Sequence, residues 1–93
     1  MISDEKLKEL IGVKVRHLME ESDGSKSYEY GQIVEAWYDQ SIHAVDVRFK
    51  LFSDQTDLNS ELSDGTLRYC ISSIEPINDQ DEIIQLDPCY YIQ

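Results

Sequence analysis

Cysteine is scarce in this 93-residue chain, limited to Cys70 and Cys89. Two thiols cannot build a disulfide scaffold, so the expectation is a reduced, intracellular protein. Basic residues are also few. Eight Lys and Arg stand against 19 Asp and Glu, a net charge of −11. That balance argues against direct nucleic-acid binding, because neutralising phosphates needs Lys and Arg gathered on one face. It also disfavours anionic membrane surfaces, which attract basic segments. No apolar run approaches the roughly 20 residues of a spanning helix, and the first residues do not read as a signal peptide.

Local catalytic and metal motifs are missing as well. His17 falls in a strand pattern and His43 in a turn, and neither stands in a nucleophile–base arrangement. Cys70 and Cys89 have no Cys-x-x-Cys spacing and no histidine pair beside them. The acidic series Asp54, Asp57, Asn59, Glu61, Asp64 has a calcium-loop look. It lacks the glycine of an EF-hand at the sixth position, and counting from Asp57 the twelfth residue is Arg68 rather than Glu. The expectation is a non-enzyme with no cofactor and no metal.

What is present suffices for one domain. The chain is 41% hydrophobic and 10% aromatic, more than an acidic disordered segment carries and enough for one modest core. Charge is uneven. Residues 1–50 hold 10 acids and 7 bases, a net of −3, while residues 51–93 hold 9 acids and one base, a net of −8. The second half therefore carries most of the negative field, which draws cationic partners and weakens with salt.

Residues 1–11 read as a short helix. Ser3 is placed to cap it, Asp4 and Glu5 favour its first turn, and Ile2 with Leu7 suits a hydrophobic staple. Leu7, Leu10 and Ile11 form its apolar stripe, and Gly12 ends it. The period then becomes two. Val13, Val15 and His17 alternate with Lys14 and Arg16, and Asp23-Gly24 marks a hairpin turn. A long aromatic run follows over 28–38, with Gly31 as a bulge or bend. Val45, Val47, Phe49 and Leu51 make the clearest strand. Residues 53–65 read as an acidic loop closed by Asp64-Gly65, and Leu67, Tyr69 and Ile71 form a fourth strand. Residues 74–77 give a short last strand that Pro76 confines to an edge.

Five short hairpin-linked strands suit a mainly β fold, a small SH3-like or Tudor-like barrel over residues 12–77. Residues 78–93 form a tail, acidic at first and then apolar through Ile83, Ile84, Leu86, Pro88, Tyr90, Tyr91 and Ile92. It is expected to pack on the barrel as an added strand or to form a homodimer with a second chain.

The candidate site is aromatic and acidic. Rings lie on or near the strands at Tyr28, Tyr30, Trp37, Tyr38, Phe49, Phe52 and Tyr69, and those left uncovered beside carboxylates would attract a cation. The acids are Asp54, Asp57, Glu61 and Asp64 of the loop and Asp79, Asp81 and Glu82 of the tail, with Asp87 beyond.

The segment from Ile11 to Lys26, with Gly12, Val15, His17 and the turn Asp23-Gly24-Ser25-Lys26, followed by Gly31-Gln32-Ile33-Val34 and closed by Ile74-Glu75-Pro76, resembles a Tudor-like repeat of the Spindlin (Spin/Ssty) family. The likeness covers residues 11–77. It implies a nuclear reader of methylated lysine on a histone tail, and three repeats in tandem where this chain has one. Carried over by position, the cage falls on Met19, on Glu29 flanked by Tyr28 and Tyr30, on Phe49, and near Phe52. Met19 and Glu29 supply no ring face, so a complete cage requires Tyr28 or Tyr30 to take a vacant place.

The function expected is a non-catalytic module that takes a basic peptide or protein, methyl-lysine-containing or not, through Met19, Tyr28, Tyr30, Trp37, Phe49 and Phe52. The alternative is an acidic DNA mimic, of phage or mobile-element type, that occupies the basic channel of a nuclease or DNA-binding protein. The chain would be nuclear if the likeness holds and cytoplasmic otherwise.

Overall fold

The computed structural model describes residues 2–91. Met1, Gln93 and Ile92 of the apolar tail lie outside the described residues. Helix α1 (Asp4–Lys8) precedes five strands, β1 (Lys14–Glu20), β2 (Lys26–Asp39), β3 (Ala44–Phe52), β4 (Leu62–Cys70) and β5 (Glu75–Ile77). All pairings are antiparallel, in one sheet of order β4-β3-β2-β1-β5. Among the described residues no ladder joins the two edges, so the sheet is open rather than a closed barrel. It is nonetheless strongly curled. The His17 ring on β1 lies 4.1 Å from the Tyr69 ring on β4, although three strand spacings, about 14 Å, would separate these strands in a flat sheet.

Strand alternation sorts the side chains. Val15, Ile33, Val47 and Phe49 point inward and are fully buried, and Leu7, Leu10, Ile71, Ile74 and Tyr90 close the same core. Ser3 Oγ accepts the Lys6 amide at 3.2 Å, as a helix cap does. The helix ends earlier than its apolar stripe suggests. Beyond Lys8 the amides of Leu10, Ile11 and Val13 bond three residues back. This tighter winding keeps Leu7, Leu10 and Val13 aligned and turns Ile11 outward.

Two glycine expectations change. Gly31 is not the bulge; the register slips between Ile33 and Glu35 instead. At Gly31 β2 lies tight against β3, since a Cβ there would sit 2.4 Å from the Lys50 carbonyl oxygen and 2.7 Å from the Phe49 ring. Asp64-Gly65 is not a turn either. It lies within β4, where residues 63–65 face the single residue Leu51 across a second slip.

The tail packs on its own chain. Ile83 bridges Ile77, the Ile84 amide donates to the Pro76 carbonyl at 3.0 Å, and the Tyr90 hydroxyl donates to the Lys6 carbonyl at 2.7 Å. No helix among the described residues is long and apolar enough to cross a membrane.

Candidate cation-binding site

Strand parity separates the rings that the sequence groups together. Arg16 faces Tyr30 and Leu18 faces Tyr28 across β1 and β2, so these four share the outer face. Met19 pairs with Ser27 on the opposite face, with Val15 and His17. Phe49 pairs with Ile33 and is 0% exposed. The assignment of Phe49 to a ligand site is therefore corrected: its inward register makes it a core residue. Phe52 is corrected likewise. It is 3% exposed, lies apart from the main core, and has the Lys14 ammonium 5.9 Å from its ring centre. Trp37 is on the outer face but seven residues beyond Tyr30, about 23 Å along an extended strand. Met19, Tyr28, Tyr30, Trp37, Phe49 and Phe52 do not form one cage.

A smaller constellation does assemble. The Tyr28 and Tyr30 ring centres are 6.3 Å apart. The Arg16 guanidinium carbon lies 4.5 Å from the Tyr28 ring centre, within the range of a cation–π contact. Its Nε donates to Glu75 Oε1 at 3.2 Å and its Nη1 to Asp81 Oδ1 at 2.9 Å. The Tyr30 hydroxyl donates to Asp81 Oδ2 at 2.8 Å. Beside it the Lys14 ammonium donates to Asp79 Oδ1 at 2.6 Å and to Asn59 Oδ1 at 2.9 Å. Glu75 first, and then Asp81 against the cost of burial, hold the Arg16 pKa above its ordinary value. Burial, with Asp81 adding to it, pushes the Tyr30 phenol up.

Two loops bring these groups together. In the tail, Asn78 Oδ1 accepts the amides of Gln80 and Glu82, and Asp81 takes a left-handed backbone with φ 61°. A non-glycine residue held there implies a turn fixed by its surroundings. In the 53–61 loop, the Gln55 side-chain amide accepts from the Tyr30 N–H at 2.7 Å and donates to the Tyr30 carbonyl at 2.9 Å, as a neighbouring strand would. Between the loops lies a cleft of about 440 Å³ lined by Tyr30, Gln55, Asp57, Asn59, Asp79 and Asp81.

The acids divide into two groups. Asp79 and Asp81 are paired with Lys14 and Arg16. Asp54, Asp57, Glu61, Asp64 and Glu82 have no ion pair among the described residues. Asp54 Oδ1 accepts the Thr56 hydroxyl and amide, which hold its carboxyl below the usual range. Among the described residues no three metal-ligating side chains cluster. The resident cations Lys14 and Arg16 were legible as outward-facing positions of β1. Of their partners, Asp79 and Asp81 are among the tail acids that the sequence marks and Asn59 is in the acidic loop series, whereas Glu75 and Gln55 had no such signal. No protein-family model, curated protein or solved structure matches the chain.

Proposed function

We propose that the chain is a non-catalytic binding module of SH3-like or Tudor-like type, and that it takes a basic peptide, or the basic surface of a protein, at the cleft between Tyr30, Asp57, Asp79 and Asp81. Arg16 carries this reading. Its guanidinium rests on one aromatic face and between two carboxylates, which is how a receptor would hold an incoming arginine or lysine. The unpaired acids Asp54, Asp57, Glu61, Asp64 and Glu82 add a field that steers such a partner. A strand order in which four strands meander and the fifth returns to the first supports the fold assignment. With two rings rather than a full cage, charge dominates recognition, and lysine methylation changes affinity only a few-fold.

Titration of the isotope-labelled chain with a Lys/Arg-rich peptide tests this. Amide shifts are expected at Tyr30, Gln55, Asp57, Asp79 and Asp81, fading as salt is raised. No binding at low salt, or shifts confined to the Trp37 end of β2, would refute it. The second reading, the acidic DNA mimic, draws on the unpaired carboxylates between 54 and 64. It predicts competition with DNA for a basic channel without perturbation of Tyr30.

A further inference from the structure

We infer that the basic segment taken by this chain carries an apolar anchor, and that the anchor seats in a second concavity between β5 and the tail. The inference rests on the reading that the Tyr30 cleft takes a cationic segment. The groove has a volume of about 560 Å³, with walls that include Ile74, Pro76, Ile83, Ile84, Leu86 and Tyr91. Ile83 is 59% exposed and Tyr91 44%, so apolar surface remains open there after the tail has covered the core. Pro76 has no N–H, and its carbonyl already accepts from Ile84. An added strand therefore finds little to bond at this edge, and an occupant enters by its side chains.

Arg16 lines neither concavity but links a residue of each. Glu75 lines the groove and Asp81 lines the cleft, and both carboxylates bind the same guanidinium. This shared partner sets the groove beside the cleft, and the inferred occupant is a single segment that reaches both. Charge identifies the occupant. Residues 74–91 include five acids (Glu75, Asp79, Asp81, Glu82 and Asp87) and no Lys, Arg or His; Arg16, Lys14 and Lys6 pair with four of them, which leaves Glu82 without an ion pair among the described residues and two negative charges in excess. A second copy would set these acids against their own kind, whereas a basic segment with one large apolar side chain complements both the rim and the floor.

The test uses a Lys/Arg-rich parent peptide with serine at every neutral position, and a set of equal charge in which one leucine is moved along the sequence. Calorimetry with the full chain is expected to show about ten-fold tighter binding for at least one leucine register, the scale set by burying one such side chain. The gain should vanish in Ile83→Ser, an exposed position whose change leaves the fold intact, while parent binding is unaltered. Methyl shifts at Ile83, Ile84 and Leu86 should appear only with the leucine peptide. Equal affinity at every register, or a gain that survives Ile83→Ser, overturns the anchor and leaves the cleft reading standing. Failure of every peptide to bind at low salt overturns both. A dimer mass that Ile83→Ser returns to monomer would put a second copy in the groove and overturn the anchor.

Discussion

At one end of β2, Trp37 has the guanidinium carbons of Arg48 and Arg68 at 4.9 and 5.1 Å from its ring, and those arginines pair with Glu35, Asp39 and Asp46. At the other end, on the same outward face, Tyr28 carries Arg16, which pairs with Glu75 and Asp81. The ingredients match: ring, guanidinium, carboxylates. The sources of the acids differ. Glu35, Asp39 and Asp46 belong to neighbouring strands, and Asp46 is only 5% exposed. At the Tyr28 end Glu75 is likewise the cross-strand partner of Arg16, but Asp79 and Asp81 belong to a tail loop 65 residues distant in sequence from the cations they meet. A cluster whose acids are cross-strand neighbours is held by the sheet itself. The Tyr28 cluster depends in addition on a loop, and it is there that the proposed site would trade its resident cation for another.

The largest expected effect strikes both ends at once. Gly31→Ala places a methyl against the β3 backbone and should cost about 3 kcal/mol, read from the urea midpoint, with both clusters weakening together. Next is Asp46→Ala, which strips Arg68 of two hydrogen bonds at 3.0 and 2.8 Å. It should cost about 2 kcal/mol and leave basic-peptide affinity unchanged; a loss of affinity would erase the distinction between the two ends. Tyr90→Phe removes the hydroxyl that ties the tail to the Lys6 carbonyl, at about 1 kcal/mol. Amide exchange should then rise over residues 78–90 more than over β3. Asp81→Asn inverts the pattern of Asp46→Ala. Its ion pair is partly exposed and should cost under about 1 kcal/mol, yet peptide affinity should fall several-fold by calorimetry.

The smallest effect is on pH. Burial, then Asp81, raises the Tyr30 pKa, so the folded state favours the un-ionised phenol. That contribution is complete below the ordinary phenol value of about 10 and is lost as pH climbs through the higher folded value. Alkaline titration should therefore open the Tyr30 end, seen in tyrosine absorbance, before the fluorescence of Trp37 changes. Simultaneous change would place the two ends in one cooperative unit.

Much of the fold was readable because it is local. Val15, Val47 and Phe49 keep a two-residue period that commits one face to the interior, Ser3 stands where an amide needs a cap, and Pro76 fits only an edge. The errors arose where a local signal met a neighbour. Asp64-Gly65 has turn chemistry but lies inside a strand, because β3 continues beside it. Gly31 reads as a bulge or bend; the bulge lies between Ile33 and Glu35, and Gly31 is a close approach. Phe49 and Phe52 read as rings available to a ligand, since aromatic character does not disclose which side of a curled sheet is covered.

The sequence by itself determined the alternation of the strands, the negative charge concentrated beyond residue 50, and the presence of aromatic side chains beside basic ones on β1 and β2. Those properties follow from backbone pleat and composition, which act over a few residues. Only the tertiary structure decided that Arg16 and Lys14 would be met by Asp81 and Asp79, that the tail would cover the core with Tyr90 and leave Ile83 open, and that Glu75 of one concavity and Asp81 of the other would bind one guanidinium. Those outcomes depend on how far the sheet curls and where a distant loop lands. No local period encodes either, because contacts between residues sixty positions apart are set by the packing of the whole chain.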